Sequence, residues 1–190
     1  SKSITEVITN GVFRKNVAYV QLLGLCPLLA VSNTVANAIG LAAASSFVLI
    51  MSSLLVSIFR RFIVANYRLP TFVLIVGSMT SVVTLLMEAF TFPLYARVAL
   101  FVQIIVTNCM ILGRIETISS KSNVTNSLFD AIATSLGFAL ALITLGGIRE
   151  TLGYFVPLAS RPAGSFIVAG ILLASGNYLV SQFRKSQLYE

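Results

Sequence analysis

From Asn16 to Phe59 the chain runs without a single charged side chain, and four more uncharged stretches follow: Leu69 to Met87, Val98 to Gly113, Ala131 to Ile148 and Pro162 to Phe183. Such segments cannot clothe a water-facing surface. Ordinary soluble domains carry about 25% charged residues, against 10% here. The same composition excludes disorder, because 57% of the residues are hydrophobic and charge is sparse. The chain is an integral membrane protein.

A helix needs roughly 20 apolar residues to cross the hydrocarbon core. The first stretch is more than twice that long, and it divides at the polar, turn-prone region from Ser32-Asn33-Thr34 to Asn37 and Gly40. Six spans are therefore predicted, at about 17–33, 39–60, 69–88, 98–115, 128–149 and 163–183. The polar segment Ser1 to Asn16 is not followed by the short apolar core and small-residue cleavage site of an export signal.

Basic residues orient the spans, since they accumulate in cytoplasmic loops. The N-terminal segment holds Lys2, Arg14 and Lys15, and the loop after span two holds Arg60, Arg61 and Arg68. On the same predicted side lie Arg114 and Lys121 after span four, and Arg184 and Lys185 at the C-terminus. The other side has only Arg97, Arg149 and Arg161. Both termini are therefore expected in the cytoplasm. The uniformly apolar part of span one, Val17 to Val31, is short enough to be re-entrant. That reading would destroy the charge bias, so the segment is expected to cross, broken or partly extended. The net charge of +7 does not indicate nucleic acid, because no run of five or six basic residues exists.

Three landmarks recur in order along the two halves: Cys26 and Cys109 in short apolar segments, Arg60 and Arg149 at the ends of spans two and five, and Pro70 in Leu-Pro-Thr-Phe and Pro162 in Arg-Pro-Ala-Gly. A duplicated unit of three spans must insert upside down relative to its partner, the inverted-repeat architecture of many transport proteins. The expected fold is thus an all-α integral membrane protein, one membrane domain over 1–190. It would have six transmembrane helices in two inverted three-helix repeats, about 12–90 and 95–185, with helices one and four short or broken. Short or interrupted segments at matching positions point to a midplane site. Gly24 and Pro27 supply a break in the first half. Thr107 and Asn108 supply side chains that can bond freed backbone groups in the second.

Those two segments hold the only cysteines, Cys26 and Cys109. Free cysteine commonly packs as a small buried hydrophobe, and a disulfide between the two is possible in principle. The third reading is ligation. Iron–sulfur clusters usually take four thiolates, so two cysteines are half a site, and a second chain or a symmetric dimer must complete it. No CxxC spacing reinforces the signal.

The segment Val20-Gln21-Leu22-Leu23-Gly24-Leu25-Cys26-Pro27-Leu28-Leu29-Ala30-Val31 resembles the first-helix motif of the RnfE/NqrD family of membrane subunits. Val106-Thr107-Asn108-Cys109 through Gly113-Arg114 resembles that family's second cysteine motif. Phe129-Asp130 and Gly147-Ile148-Arg149-Glu150-Thr151-Leu152-Gly153 are similar to two further family segments, and together these cover about Gly11 to Leu179. The Leu-Cys-Pro-Leu-Leu run favours the RnfE branch over the NqrD branch, which serves a sodium-pumping NADH:quinone reductase. The resemblance implies six helices in two inverted halves and pairing with a homologous RnfA-like subunit of opposite orientation. It also implies a membrane-embedded [2Fe–2S] cluster with two cysteines from each subunit, which makes Cys26 and Cys109 this chain's metal ligands. By the same resemblance the chain sits in a bacterial cytoplasmic membrane with the other Rnf subunits (B, C, D and G). There it would serve a ferredoxin:NAD oxidoreductase coupled to sodium or proton movement, and would not be catalytic alone. Flavins and other clusters would belong to other subunits, and ferredoxin and NADH would reach the complex through them.

The sequence departs from the family at Gly113-Arg114-Ile115-Glu116-Thr117-Ile118, where an alanine-rich stretch is usual, and in a short loop over about 150–162. Glu88 and Asp130 are placed near span ends and Glu116 in the loop after span four, with an interfacial position favoured over an ion pathway. Arg149-Glu150 is read as a helix end. Gln103, Thr107 and Asn108 are candidates either for hydrogen bonds towards a cluster or for joining helices. Ala42-Ala43-Ala44-Ser45-Ser46 and Gly137 are read as packing features that let helices approach. With no His, no glycine-rich phosphate loop and no Ser–His–Asp set, hydrolysis and nucleotide binding within this chain are set aside. The competing reading is a small inverted-repeat transporter without a redox centre, in which the cysteines merely pack.

Overall fold

The computed structural model describes residues 17–32, 34–63, 67–155 and 164–175, which are mostly helical, with no strand among them. A turn at Val17–Val20 leads into α1 (Leu25–Val31), followed by α2 (Val35–Phe59), α3 (Arg68–Phe90) and α4 (Phe92–Ile104). A 3-10 turn over Ile105–Thr107 separates α4 from α5 (Cys109–Arg114), which widens into a π turn at Ile115–Ser119. The chain continues as α6 (Val124–Phe155) and α7 (Gly164–Ser175). Four helical stretches are long and apolar enough to cross a membrane: Val35–Phe59, Arg68–Phe90, Ala99–Ser119 and Val124–Gly153. They fall on predicted spans two to five. At about 1.5 Å per residue α2 alone rises roughly 37 Å, more than the ~30 Å hydrocarbon core.

Local chemistry sets the helix ends, and it moves them from the charge-based bounds. Thr34 caps α2 with its hydroxyl on Asn37 N, so the helix takes in Asn37 and Gly40, which the sequence suggested as a divider. Pro70 and Pro93 sit in the first turns of α3 and α4, where a missing N–H leaves no helical bond unmade. α4 starts at Phe92, ahead of the predicted span, because Pro93 opens the helix and Arg97 is carried exposed on it. Glu116 lies in the helical π turn rather than in a loop. α6 runs on to Phe155 through Arg149 and Glu150, which therefore do not end it.

α2 and α6 form the most extensive helix pair. They run antiparallel: Ala38 near the start of α2 meets Gly146 late in α6, where an added β-carbon would come 3.2 Å from Ala38 Cβ. At the opposite end Ser57 Oγ donates to Ser119 O at 3.0 Å, and Ser127 Oγ donates to Ser119 Oγ at 2.8 Å. Small residues allow this approach, with Ala38, Ala42, Ala44, Ser45 and Ala141 buried, as helix pairs in lipid favour. Leu41, Val48 and Leu49 of α2 and Phe138, Leu142 and Leu145 of α6 complete the core. α3 packs on α2 and leaves Leu74, Leu85 and Phe90 outward. Those apolar side chains suit lipid or a neighbouring subunit better than water.

The predicted first and fourth spans are where helical structure is short or broken. α1 has seven residues, rising only about 10 Å. The fourth is interrupted at Asn108, which is extended with φ −64 and ψ 116. These two interruptions meet in space.

Candidate functional site

The meeting point is built from glycine geometry. Gly24 precedes α1 in the left-handed region, φ 76 and ψ 19, which costs an L side chain roughly 1–2 kcal/mol. A β-carbon there would lie 2.9 Å from Phe138 Cε2 and 3.3 Å from Met110 Cβ. Without one, the backbone of Gly24 reaches α5, and its N–H donates to Cys109 Sγ at 3.0 Å. The first interruption is thus made at Gly24. Pro27 is the third residue of α1, a first-turn position it occupies without loss, so it helps to start the helix rather than to break it. Leu22 is also left-handed, φ 56, two residues earlier, and Leu23 N closes the preceding turn onto Val17 O at 2.9 Å.

Both cysteines occupy first turns, Cys26 as the second residue of α1 and Cys109 as the first of α5. Both thiols are free and exposed. That placement is unusual for a residue type that ordinarily packs fully inside, and it opposes the reading of these cysteines as buried hydrophobes. The core next to this junction is apolar and closed: Val102, Ile105, Met110, Ile111 and Phe138 are all at 1% exposure or less.

The three polar candidates around Cys109 separate clearly. Thr107 Oγ1 turns back to Ile104 O at 3.2 Å, and Gln103 is exposed. Asn108 is buried, and its Oδ1 caps α5 by accepting from Met110 N at 3.0 Å. Its Nδ2 is buried with no hydrogen-bond partner among the described residues. A buried amide donor left unmade costs about 1–3 kcal/mol, and this one adjoins the Cys109 backbone.

Charge enters at a distance from the thiols. Arg149, 1% exposed, donates from Nη1 to Leu29 O at 3.0 Å and to Ser32 Oγ at 2.8 Å, at the C-terminal end of α1. Its neighbour Glu150 accepts from Val35 N at 2.8 Å, at the start of α2. At the other end of the bundle Arg60 donates from Nη1 to Lys121 O at 3.2 Å and Ser122 O at 2.7 Å, and from Nη2 to Asn123 Oδ1 at 3.3 Å. The sequence marked both arginines as landmarks but offered no sign of these acceptors, which are backbone carbonyls and small polar groups. Arg114 pairs with Asp130 at 3.7 Å. Asp130 therefore lies inside α6 against a cation, while Glu88 and Glu116 are exposed.

Among the described residues no group of three or more His, Cys, Asp or Glu could hold a metal ion. What the chain offers is two exposed thiols, with the turn that leads into α1 touching the start of α5 through Gly24 and Cys109.

A family model described as "Rnf-Nqr subunit, membrane protein" matches residues 4–183. Similar proteins include the E subunit of the ion-translocating oxidoreductase complex of Haemophilus ducreyi, 46% identical over 148 residues, which are 78% of this chain and 65% of that protein. The protein of the same name in Pasteurella multocida is 42% identical over 197 residues, covering 89% of this chain and 88% of the relative. That of Pseudomonas paraeruginosa is 40% identical over 203 residues, covering 93% and 85%.

Proposed function

The chain belongs to the Rnf-Nqr family of membrane-protein subunits, and from that premise we propose that it is the RnfE-type component of an ion-translocating oxidoreductase complex. In that role Cys26 and Cys109 supply two of the four thiolates of a [2Fe–2S] cluster shared with a homologous, RnfA-like subunit. The observation that carries the reading is the contact between the turn leading into the Cys26 helix and the other cysteine, Gly24 N to Cys109 Sγ at 3.0 Å, with both thiols exposed.

The donor set fits half of such a site. Two free thiols stand at the surface, where a partner's ligands can reach the same metal, whereas four from one chain would close the site internally. Iron in clusters of this class takes cysteine thiolates, and hydrogen bonds to the sulfurs tune it. Gly24 N–H already donates to one of the sulfurs, and Asn108 Nδ2, without a partner among the described residues, is an amide donor next to the same cysteine. The closed apolar core next to this junction keeps water from the inner side. When bound, the cluster supplies a one-electron redox centre within the membrane. The chain's own part is to hold the thiols, exclude water and set the local hydrogen bonding.

The six-span inverted repeat belongs to this proposal. It is supported by matched intervals, since Val35 to Arg60 equals Val124 to Arg149 in length and both intervals start at a helix start. It is supported again by the crossed use of the arginines: Arg60 binds carbonyls just after α5 and its π turn, and Arg149 binds the end of α1. The remaining partners are the other members of the complex, with flavin, ferredoxin and NADH chemistry carried by them, coupled to Na⁺ or H⁺ movement across the bacterial cytoplasmic membrane. Co-purification of the chain with an RnfA-like subunit, and loss of an iron–sulfur signal on replacing either cysteine, test the proposal.

A further inference from the structure

A helix of seven residues does not hold its own direction. Its last carbonyls lack intrahelical partners, and nucleating so short a helix is unfavourable without tertiary contacts. α1 is such a helix, and Cys26 rides on its first turn. At its C-terminal end the buried Arg149 donates from Nη1 to both Leu29 O and Ser32 Oγ. The next residue, Glu150, binds Val35 N and so fixes the far side of the same junction.

The other cysteine is held in the same way. α5 and its π turn run from Cys109 to Ser119, and Arg60 binds the carbonyls of Lys121 and Ser122 immediately beyond. Each guanidinium comes from one of the two long central helices or its end. Arg149 grips the last turn of α1, and Arg60 grips the turn just beyond the helical segment that Cys109 opens. A planar fork of donors suits this task better than an ammonium group does.

We propose that Arg149 and Arg60 are positioning residues for Cys26 and Cys109, fixing the short helices so that the two thiols keep one mutual geometry at the surface. The inference rests on the proposed cluster-binding role. Neither arginine touches the thiols, and each acts through the helix it clamps. A mere tie between helices would alter the amount of assembled complex. A positioning residue alters the metal centre and the spacing of the thiols in complexes that have assembled.

The experiment uses the purified membrane complex carrying Arg149→Gln, Arg149→Lys, Arg60→Gln or Ser32→Ala, normalised to assembled complex on native gels. Two properties are read: the electron paramagnetic resonance spectrum of the centre that depends on Cys26 and Cys109, and its iron loss to a chelator. The expected result is an altered spectrum and about tenfold faster iron loss in Arg149→Gln and Arg60→Gln, as for other supports behind metal ligands. Arg149→Lys restores part of the wild-type behaviour, and Ser32→Ala shifts it slightly in the same direction. Assembled Arg149→Gln and Arg60→Gln complexes with wild-type spectra and iron loss overturn the inference. If Arg149→Gln does not assemble, Ser32→Ala decides, and a wild-type result there overturns it for Cys26. In metal-stripped complex, cross-linking of Cys26 to Cys109 by a short bismaleimide gives a readout that needs no cluster. It should fall severalfold in Arg149→Gln, or by a smaller measurable amount in Ser32→Ala where that variant decides, and no fall contradicts the clamp. A wild-type complex with no signal dependent on these cysteines sinks the cluster reading instead, and cross-linking then judges the clamp alone.

Discussion

The backbone N–H of Gly24 donates to Cys109 Sγ at 3.0 Å, joining the two interrupted segments of the chain across 85 positions of sequence. The contact depends on a residue without a side chain in a left-handed conformation, set against Phe138 and Met110. It ties the backbone just ahead of the Cys26 helix to the other cysteine.

Gly24→Ala introduces a methyl group 2.9 Å from Phe138 Cε2 and 3.3 Å from Met110 Cβ, at φ 76. The left-handed strain is about 1–2 kcal/mol, and overpacking adds roughly 1–3 kcal/mol. We expect a lower thermal denaturation midpoint for the complex and reduced iron content per assembled complex. A variant with unchanged midpoint and iron content would show that this contact is dispensable.

Asn108 has two separable duties. Its Oδ1 caps α5 through Met110 N, and its Nδ2 is a buried donor without a partner among the described residues. Asn108→Ala should cost about 1 kcal/mol through the lost cap. Asn108→Asp keeps the cap acceptor and removes the donor, and it should lower the midpoint potential of the proposed cluster by taking away an amide donor available to its sulfurs and adding negative charge nearby. Redox titration of the assembled complex checks this, and an unchanged or raised potential in Asn108→Asp would refute a tuning role.

How far the sequence revealed these features differs residue by residue. Gaps between charges located the long helices, because a charged side chain is expensive at the membrane centre. The same logic misplaced the end of α6 at Arg149. That guanidinium is buried, and Leu29 O and Ser32 Oγ satisfy it, acceptors that only the folded chain brings within reach. The break near Gly24 was visible as a glycine before a proline, yet the roles of the two residues were not. Pro27 sits harmlessly in a first turn, and the left-handed turn is made by Gly24. Thr107 and Asn108 looked equivalent in sequence. The fold turns Thr107 back onto its own helix and leaves Asn108 Nδ2 buried beside the thiol-bearing segment.

The bundle also predicts sidedness. Arg60 binds Lys121 O and Ser122 O, so the loops after α2 and before α6 share one end. Thr91 lies at the other, lining a groove with Gly40 and Ala43 from the first half of α2. The topology we propose puts the first end in the cytoplasm, in keeping with the excess of Lys and Arg near it. In a background lacking the native cysteines, Ser122→Cys should react with a membrane-impermeant maleimide only after cells are opened, and Thr91→Cys in intact spheroplasts. The reverse pattern would invert the proposed topology.

The central claim, that Cys26 and Cys109 ligate iron, is tested most directly by spectroscopy of the purified complex with each cysteine in turn replaced by alanine. Iron, acid-labile sulfide and the electron paramagnetic resonance spectrum are compared with those of wild type in equal amounts of assembled complex. The account predicts that Cys26→Ala and Cys109→Ala each remove the same [2Fe–2S] signal and the corresponding iron. Wild-type iron, sulfide and spectrum in both variants would contradict it.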